Sequence, residues 1–210
     1  METGWPAGGA KVDGRTRLLD TAEELLDRHG IDGVSVRTVT KAAGHRNSSA
    51  VNYHFGNRDQ LILAVFERRQ VVVEAARAAL LQRIEAAGEL TPRDAVLVGV
   101  EPLVELLGDP CGRRFLRLLH QAANHPDYHV RTVEEFSPSI MSAAVVLRPL
   151  VDHLPGEQRA HRLRLGLAIV LAALSDQARL IDTPSPPRPV LDPALFTDDL
   201  VRVILAALAA

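Results

Sequence analysis

The chain has 210 residues, which is long enough for a small domain and a second domain with its own core. Its formal net charge of −2 excludes a protein that coats nucleic acid through a uniformly basic surface. Aromatic residues make up 4% of the chain, while Ala, Leu, Glu and Arg are abundant, so the composition predicts an all-α protein. The single cysteine, Cys111, excludes an intrachain disulfide.

The ends and the apolar runs of the sequence indicate where the protein acts. Residues 1–14 lack the apolar stretch of a signal peptide, so we expect a flexible arm there. The longest uncharged apolar run, Leu165–Ser175, is shorter than the stretch of about 20 residues that crosses a bilayer. We therefore expect a soluble, cytoplasmic protein with no membrane partner.

Three short helices are predicted near the N-terminus. Apolar residues of the first recur at three- and four-residue spacing, and Gly30 follows it as a C-cap. Ser35 is placed to cap the second helix, which Gly44 ends, and Gly56 closes the third. The predicted helices cover residues 15–29, 35–43 and 48–54. A helix, a tight turn and a short second helix are typical of a helix-turn-helix.

Six further helices are predicted in the rest of the chain. The first begins with an Asn57–Gln60 capping-box pattern and is long enough to connect two domains. Pro102, Pro138 and Pro149 fall inside later segments, where each removes an amide hydrogen bond and is expected to kink its helix. These helices cover residues 57–84, 92–107, 112–124, 127–153, 157–181 and 194–208, which gives about nine helices in total.

The helix that contains Leu163–Leu174 is apolar nearly all the way round, so we expect it to be buried on most sides. Small residues such as Gly166 and Ala168 allow another helix to approach closely. Together with the last helix it predicts a homodimer interface, in which two copies form a four-helix bundle. The alternative is a core helix in a monomer.

A basic segment surrounds the predicted helix-turn-helix. No acidic residue occurs from Gly33 to Arg58, whereas Arg37, Lys41 and Arg46 supply positive charge in addition to Arg58 itself. The major groove of DNA admits an α-helix, and basic side chains neutralise its phosphates. Double-stranded DNA is therefore the predicted partner.

At these positions the sequence resembles the tetracycline-repressor (TetR) family. The resemblance rests on HGIDGVSVR, AAG and NYHFGNRDQL, and it covers roughly residues 15–66. It implies a flexible arm at 1–14, a DNA-binding domain at 15–57 and a ligand-binding and dimerisation domain at 58–210. It also implies a regulator, usually a repressor, that binds a near-palindromic operator as a dimer and is released when a small, largely apolar effector binds.

The resemblance implies roles for individual residues. The start of the second helix abuts the DNA backbone, the third helix meets the bases, and residues at its end and just beyond it clamp phosphates. The implied DNA contacts are Ser35, Arg37, Thr38, Lys41, Arg46, Asn47, Ser48, Ser49, Asn52, Tyr53, His54 and Arg58, with Lys11, Arg15 and Arg17 adding contacts from the arm. The stretch from Gly44 to Phe55 is one residue longer than the common family pattern, and Asn52 stands where many relatives carry tyrosine.

An effector pocket among the middle helices is also implied by the resemblance. Its candidate lining is Leu103, Leu107, Phe115, Leu119, His120, Met141 and Val145. His120 is placed to orient a polar group of the effector, and its alternative role is a histidine satisfied within the core.

Other functions have less support in the sequence. His120, His125 and His129 lie near Asp127, but Pro126 breaks the helical register, so we expect no metal site. No nucleophile–base pair, carboxylate dyad or phosphate-binding loop is visible, so we expect neither a cofactor nor an enzyme. An activator, or a DNA-binding scaffold without an effector, remains an alternative.

Overall fold

A computed structural model describes residues 13–45, 49–128 and 137–210 of the chain. These residues form nine α-helices and one 3₁₀ turn, with no strand among them, which confirms the predicted all-α class. The helices are α1 Gly14–His29, α2 Val36–Ala42, α3 Ser49–Phe55, α4 Arg58–Ala87, α5 Pro92–Glu105, α6 Pro110–Ala123, α7 Pro138–Val151, α8 Gly156–Asp182 and α9 Pro193–Ala209, and the 3₁₀ turn is Leu106–Gly108.

The chain divides into two compact units between Val65 and Phe66, within α4. The sequence places the boundary earlier, after residue 57. The first turns of α4 belong to the N-terminal unit because Leu61, Ile62 and Val65 are buried there. Helices α1, α2 and α3 complete that unit, in which α1 packs on α2 and α2 on α3.

Local hydrogen bonds explain where the helices of the N-terminal unit begin and end. The Oγ of Ser35 accepts a bond from the Thr38 amide at 3.1 Å, which confirms the predicted cap of α2. The Oδ1 of Asn57 accepts a bond from the Gln60 amide at 2.9 Å and caps α4 in the same way. Gly44 has φ +77°, a value that side chains disfavour, so a glycine suits the turn after α2.

The C-terminal unit has its own apolar core. Phe66 and Phe115 are fully buried, and their ring centroids lie 6.3 Å apart. Helix α6 packs on α8, and α5 packs on α7 and α9. Asp182 ties α6 to the end of α8, because it accepts bonds from Arg113 Nε and Arg117 Nη1, each at 2.6 Å. Burial alone would raise the pKa of Asp182, but the bonds from Arg117 and Arg113 outweigh it and lower that pKa.

Helix α7 differs from the prediction of one helix over 127–153. Asp127 and Tyr128 lie in a turn, residues 129–136 lie outside the described ranges, and α7 begins at Pro138. Proline lacks an amide proton and disfavours helix in the residue before it, so Pro138 starts a helix instead of kinking one. Pro102 and Pro149 lie inside α5 and α7, as predicted.

Within a single chain, α8 is buried on one side and exposed on the other, so its expected burial on most sides stays a prediction for the dimer. Val170, Leu171 and Leu174 are buried, but Leu165, Ala168 and Ala172 are exposed along one face. A Cβ built on Gly166 would lie 3.7 Å from Cδ2 of Leu208, so this glycine faces α9 of the same chain. None of the helices in the described ranges is long and apolar enough to cross a membrane.

Candidate DNA-reading surface and effector domain

Helix α2 has a buried face and a polar exposed face. Val39 and Thr40 are buried, and the Thr40 hydroxyl donates to the carbonyl of Val36 at 2.9 Å. The opposite face exposes four predicted contact residues, Ser35, Arg37, Thr38 and Lys41. The hydroxyls of Ser35 and Thr38 lie 2.8 Å apart, so they bond each other while Ser35 also caps the helix.

Helix α3 is short and exposes most of its polar residues. Val51 is completely buried and anchors the helix, while Ser49 and Asn52 are exposed at a three-residue spacing. Tyr53 is 85% exposed, which is unusual for so large a side chain and leaves its hydroxyl accessible. Arg46, Asn47 and Ser48, also predicted contacts, lie outside the described residues.

The charge of this surface is positive. Among the described residues, Arg37 and Lys41 form no ion pair, and α2 has no acidic residue in its first turn. Unneutralised side chains of this kind retain their full attraction for phosphate. The surface formed by the exposed residues of α2 and α3, here called the reading surface, can therefore bind an anionic polymer and present hydrogen-bonding groups to it.

Contacts beside the reading surface involve residues whose pairing the sequence does not reveal. A Cβ built on Gly14 would lie 3.6 Å from Cε1 of His45 and 3.8 Å from Nε2 of His54, so both imidazoles flank the start of α1. The guanidinium of Arg15 lies 5.1 Å from the ring centroid of Phe55, in a cation–π contact. Sequence reasoning missed His45, because only the fold brings it beside His54.

Arg58 does not have the phosphate-clamping geometry that the resemblance implies. Its Nε donates to the carbonyl of Val34 at 2.6 Å, and its Nη2 donates to the carbonyl of Ile31. A third nitrogen, Nη1, lies 3.4 Å from Asp59 Oδ1. The side chain is 31% exposed, and its Nε and Nη2 are directed at carbonyls within the protein. A DNA contact by Arg58 stays a prediction.

Two family models match the chain. The description of one is "Bacterial regulatory proteins, tetR family", and it matches residues 18–65, which contain the reading surface. The other is "Tetracyclin repressor-like, C-terminal domain", and it matches residues 99–207, more than half of the chain. The chain belongs to the TetR family. This family consists of regulators, in agreement with the expectation of a protein that is not an enzyme.

Two curated relatives of this TetR-family chain are similar over a short segment. The HTH-type transcriptional repressor AcnR of Corynebacterium efficiens is 33% identical over 58 residues, which are 28% of this chain and 30% of AcnR. AcnR of Corynebacterium glutamicum is 32% identical over 59 residues, 28% of this chain and 31% of the relative. The matched segment thus spans under a third of either repressor.

A solved structure extends the similarity of fold beyond the segments matched by AcnR. The transcriptional regulator from Aquifex aeolicus VF5 aligns with a TM-score of 0.50 over 91% of this chain and 98% of its own. Its sequence identity is 18%, so the comparison concerns the fold.

The effector pocket predicted for this TetR-family chain is not a single cluster in the structure. Leu103, Leu107, Phe115 and Leu119 are buried and belong to the core of the C-terminal unit. Met141 is 56% exposed and Val145 is 61% exposed, because both lie on the outward face of α7. Met141 and Val145 are therefore surface residues of the single chain, and their role in lining a pocket stays a prediction.

His120 lies at the edge of this core, near the end of α6. Its Nδ1 is buried with no hydrogen-bond partner in the described part of the chain. Burial, and then the nearby charge of Arg179, lower the pKa of His120, so the neutral imidazole is favoured at pH 7. A neutral imidazole can accept a hydrogen bond through one nitrogen and donate one through the other.

An open groove of about 440 Å³ lies elsewhere in the C-terminal unit, between the end of α4 and α5. Its lining is Leu80, Arg83, Ile84, Ala87, Gly88, Glu89, Asp94 and Glu101, which includes none of the predicted pocket residues. Within the described ranges, no three His, Cys, Asp or Glu side chains come together as metal ligands, and His129 lies outside those ranges.

A buried polar cluster connects α4 with the start of α7, and no sequence motif indicates it. Glu74 Oε1 accepts a bond from the Ser139 amide at 2.7 Å, so a side chain of α4 caps α7. Arg77 Nη1 donates to Ser137 Oγ at 2.9 Å and lies 3.9 Å from Glu74 Oε2. Burial lowers the pKa of Arg77 to about 10, so its guanidinium remains charged at pH 7.

Proposed function

We propose that this TetR-family chain is a sequence-specific DNA-binding transcriptional repressor that acts as a homodimer and responds to a small effector. The observation that carries the proposal is the reading surface, where exposed Arg37 and Lys41 lie with exposed Asn52 on a helix-turn-helix. The similarity of segments of 58 and 59 residues to two repressors named AcnR supports repression. A DNA partner implies that the protein acts in the cytoplasm.

In the proposed binding mode, residues of α2 contact phosphates and residues of α3 contact bases. Arg37, Lys41 and the Ser35–Thr38 hydroxyls contact phosphates, which supplies affinity that falls with salt. Asn52 and Ser49 read base edges in the major groove, where asparagine bonds adenine with two hydrogen bonds. Arg46, Asn47 and Ser48 remain proposed contacts at the N-terminal side of α3, as do Tyr53 and His54 at its end.

The proposed dimer uses α8 and α9. Leu165, Ala168 and Ala172 form an exposed apolar face of α8, and Leu195 and Val203 are exposed on α9, which packs against α8. Small side chains along such a face permit close approach of the same face of a second copy. The two reading surfaces of a dimer would then enter successive major grooves about 34 Å apart, so the operator is proposed to be a near-palindrome.

The proposed effector binds the C-terminal unit and weakens DNA binding. Support comes from the family match over residues 99–207 and from apolar Leu103, Leu107, Phe115 and Leu119, with His120 next to them as the polar group. A small, largely apolar molecule with one hydrogen-bonding group fits this lining. By linkage, DNA lowers the affinity for effector by the same factor that effector lowers the affinity for DNA.

The DNA-binding proposal is tested by selecting duplexes from random oligonucleotides and measuring affinity by fluorescence anisotropy. Arg37→Ala is expected to weaken binding to all duplexes and to reduce the slope of log K against log salt by about 0.9 for each phosphate that Arg37 neutralises. Asn52→Ala is expected to relax the preference at one base pair of each half-site, where discrimination is worth about 1–3 kcal/mol.

Arg83→Ala is the matched control, because Arg83 lies in the C-terminal unit and is exposed. This variant should bind the selected duplex like the wild type. If the wild-type protein enriched no duplex sequence at low ionic strength, the proposed function would be wrong.

The dimer proposal predicts that Ala168→Glu separates the subunits. A glutamate on the proposed interface must lose its hydration or face its symmetry mate, so we expect the dimer dissociation constant to rise about tenfold or more. Ala79→Glu places the same charge on an exposed alanine of α4 and serves as the control. Sedimentation velocity measures both variants, and an unchanged dimer in Ala168→Glu would reject this interface.

A further inference from the structure

Arg58 forms hydrogen bonds that connect distant parts of the N-terminal unit. It is the first residue of α4, and its Nε and Nη2 donate to the carbonyls of Val34 and Ile31. Both acceptors lie in the connection between the end of α1 and the start of α2. Backbone carbonyls outside a helix need partners from elsewhere, and here a guanidinium supplies them.

The connection that Arg58 bonds is tightly wound. A Cβ built on Gly33 would overlap the carbonyl oxygen of His29, so no side chain larger than hydrogen fits there without a shift of the backbone. Ile31 and Val34 are both buried, so this connection is anchored on the core from two sides. Arg58 therefore donates its hydrogen bonds to a compact turn and not to an open loop.

This turn leads directly to the reading surface. Val34 immediately precedes Ser35, which caps α2, and Arg37 lies two residues after Ser35. Helix α4 continues from Arg58 to Ala87, beyond the end of the N-terminal unit at Val65. Arg58 thus connects the start of α4 with the residue that precedes the cap of α2.

We propose that Arg58 is a positioning residue that fixes the start of α2 against α4 and so orients Arg37 and Lys41 toward DNA, without contacting DNA itself. The proposal rests on the proposed DNA-binding function. In this proposal, the two hydrogen bonds that Arg58 donates to Ile31 and Val34 connect α4 with the reading surface.

The geometry requires arginine and not simply a positive charge. The planar guanidinium directs two donors from different nitrogens at two carbonyls, whereas lysine has a single ammonium group with a different reach. A phosphate contact has the opposite requirement, because an ammonium neutralises phosphate nearly as well. Lysine at this position therefore separates the two roles.

The test measures the affinity of Arg58→Lys and Arg58→Gln for the duplex selected with the wild-type protein, at several salt concentrations. We expect both variants to bind about tenfold more weakly or worse, because neither lysine nor glutamine can donate to both carbonyls and hold the start of α2 in place. Arg83→Lys and Arg83→Gln are the matched controls and should bind like the wild type. Circular dichroism at the assay temperature establishes that each variant is folded.

A second measurement distinguishes positioning from a general loss of stability. Hydrogen exchange followed by mass spectrometry is expected to show faster exchange in α2 of Arg58→Lys, with α6 in the C-terminal unit unchanged. This readout remains informative even where Arg58→Gln folds poorly.

Two results would overturn the proposal. One is a folded Arg58→Lys that binds with wild-type affinity, together with an Arg58→Gln that reduces the salt slope by about 0.9 per site, since this is the behaviour of a phosphate contact. The other is unchanged exchange in α2. Failure of the wild-type protein to bind any duplex would instead contradict the proposed function, so the two failures are distinguishable.

Discussion

Replacement of Arg77 by methionine is expected to lower the free energy of unfolding by about 3 kcal/mol, because it removes one partner of a buried ion pair. Arg77 is 3% exposed, and without it the Glu74 carboxylate loses this ion pair and Ser137 Oγ loses its hydrogen bond from Arg77 Nη1. Methionine keeps much of the volume of the side chain, so the reduced stability reports charge and hydrogen bonding more than packing.

The companion variant is Glu74→Gln combined with Arg77→Met. The glutamine carbonyl oxygen still accepts the Ser139 amide, as Glu74 does in the wild type at 2.7 Å, and no buried charge remains. We expect the double variant to recover roughly half of the stability, since replacing both members of a buried pair costs less than replacing one.

Urea unfolding monitored by circular dichroism measures these differences. Arg83→Met is the control, because it removes an exposed arginine from the same helix and is expected to cost no more than about 0.5 kcal/mol. An Arg77→Met variant as stable as this control would show that the polar cluster between α4 and α7 does not stabilise the C-terminal unit.

The helices of the fold are largely predictable because their signals are local. The spacing of apolar residues predicts α1, and the caps at Ser35 and Asn57 place the starts of α2 and α4 within a residue. The predicted α7 is too long because Pro138 has the sequence context of an interior proline, although proline fits the first turn equally well.

The candidate site is less predictable, because its polar contacts join residues far apart in the sequence. Arg58 has the charge of a phosphate contact, and only the fold brings it to the carbonyls of Ile31 and Val34. Met141 and Val145 lie on a helix that is apolar on several sides, so periodicity does not distinguish its exposed face from its buried one. The sequence thus predicts which residues are polar or apolar, and the fold determines what they contact.

Replacement of Phe115 by alanine is expected to lower the free energy of unfolding by about 3–5 kcal/mol, the usual cost of truncating a fully buried aromatic side chain. Phe115 is completely buried, and its ring packs against that of Phe66 with 6.3 Å between centroids. We therefore expect the truncation to leave a cavity where the ring lies in the wild type.

The size of this decrease separates the two roles that the sequence permits for Phe115. If Phe115 is core, the decrease should be large, and a small apolar probe such as benzene should raise the melting temperature of Phe115→Ala but not that of the wild type, because it fills the new cavity. If Phe115 instead lines an effector pocket, the truncation should cost much less, and the wild type should itself be stabilised by the probe.

Val145→Ala is the control, since this side chain is exposed and its truncation should cost no more than about 0.5 kcal/mol. A decrease as small as that of Val145→Ala would contradict the core assignment and would favour Phe115 as a lining residue of the proposed effector site.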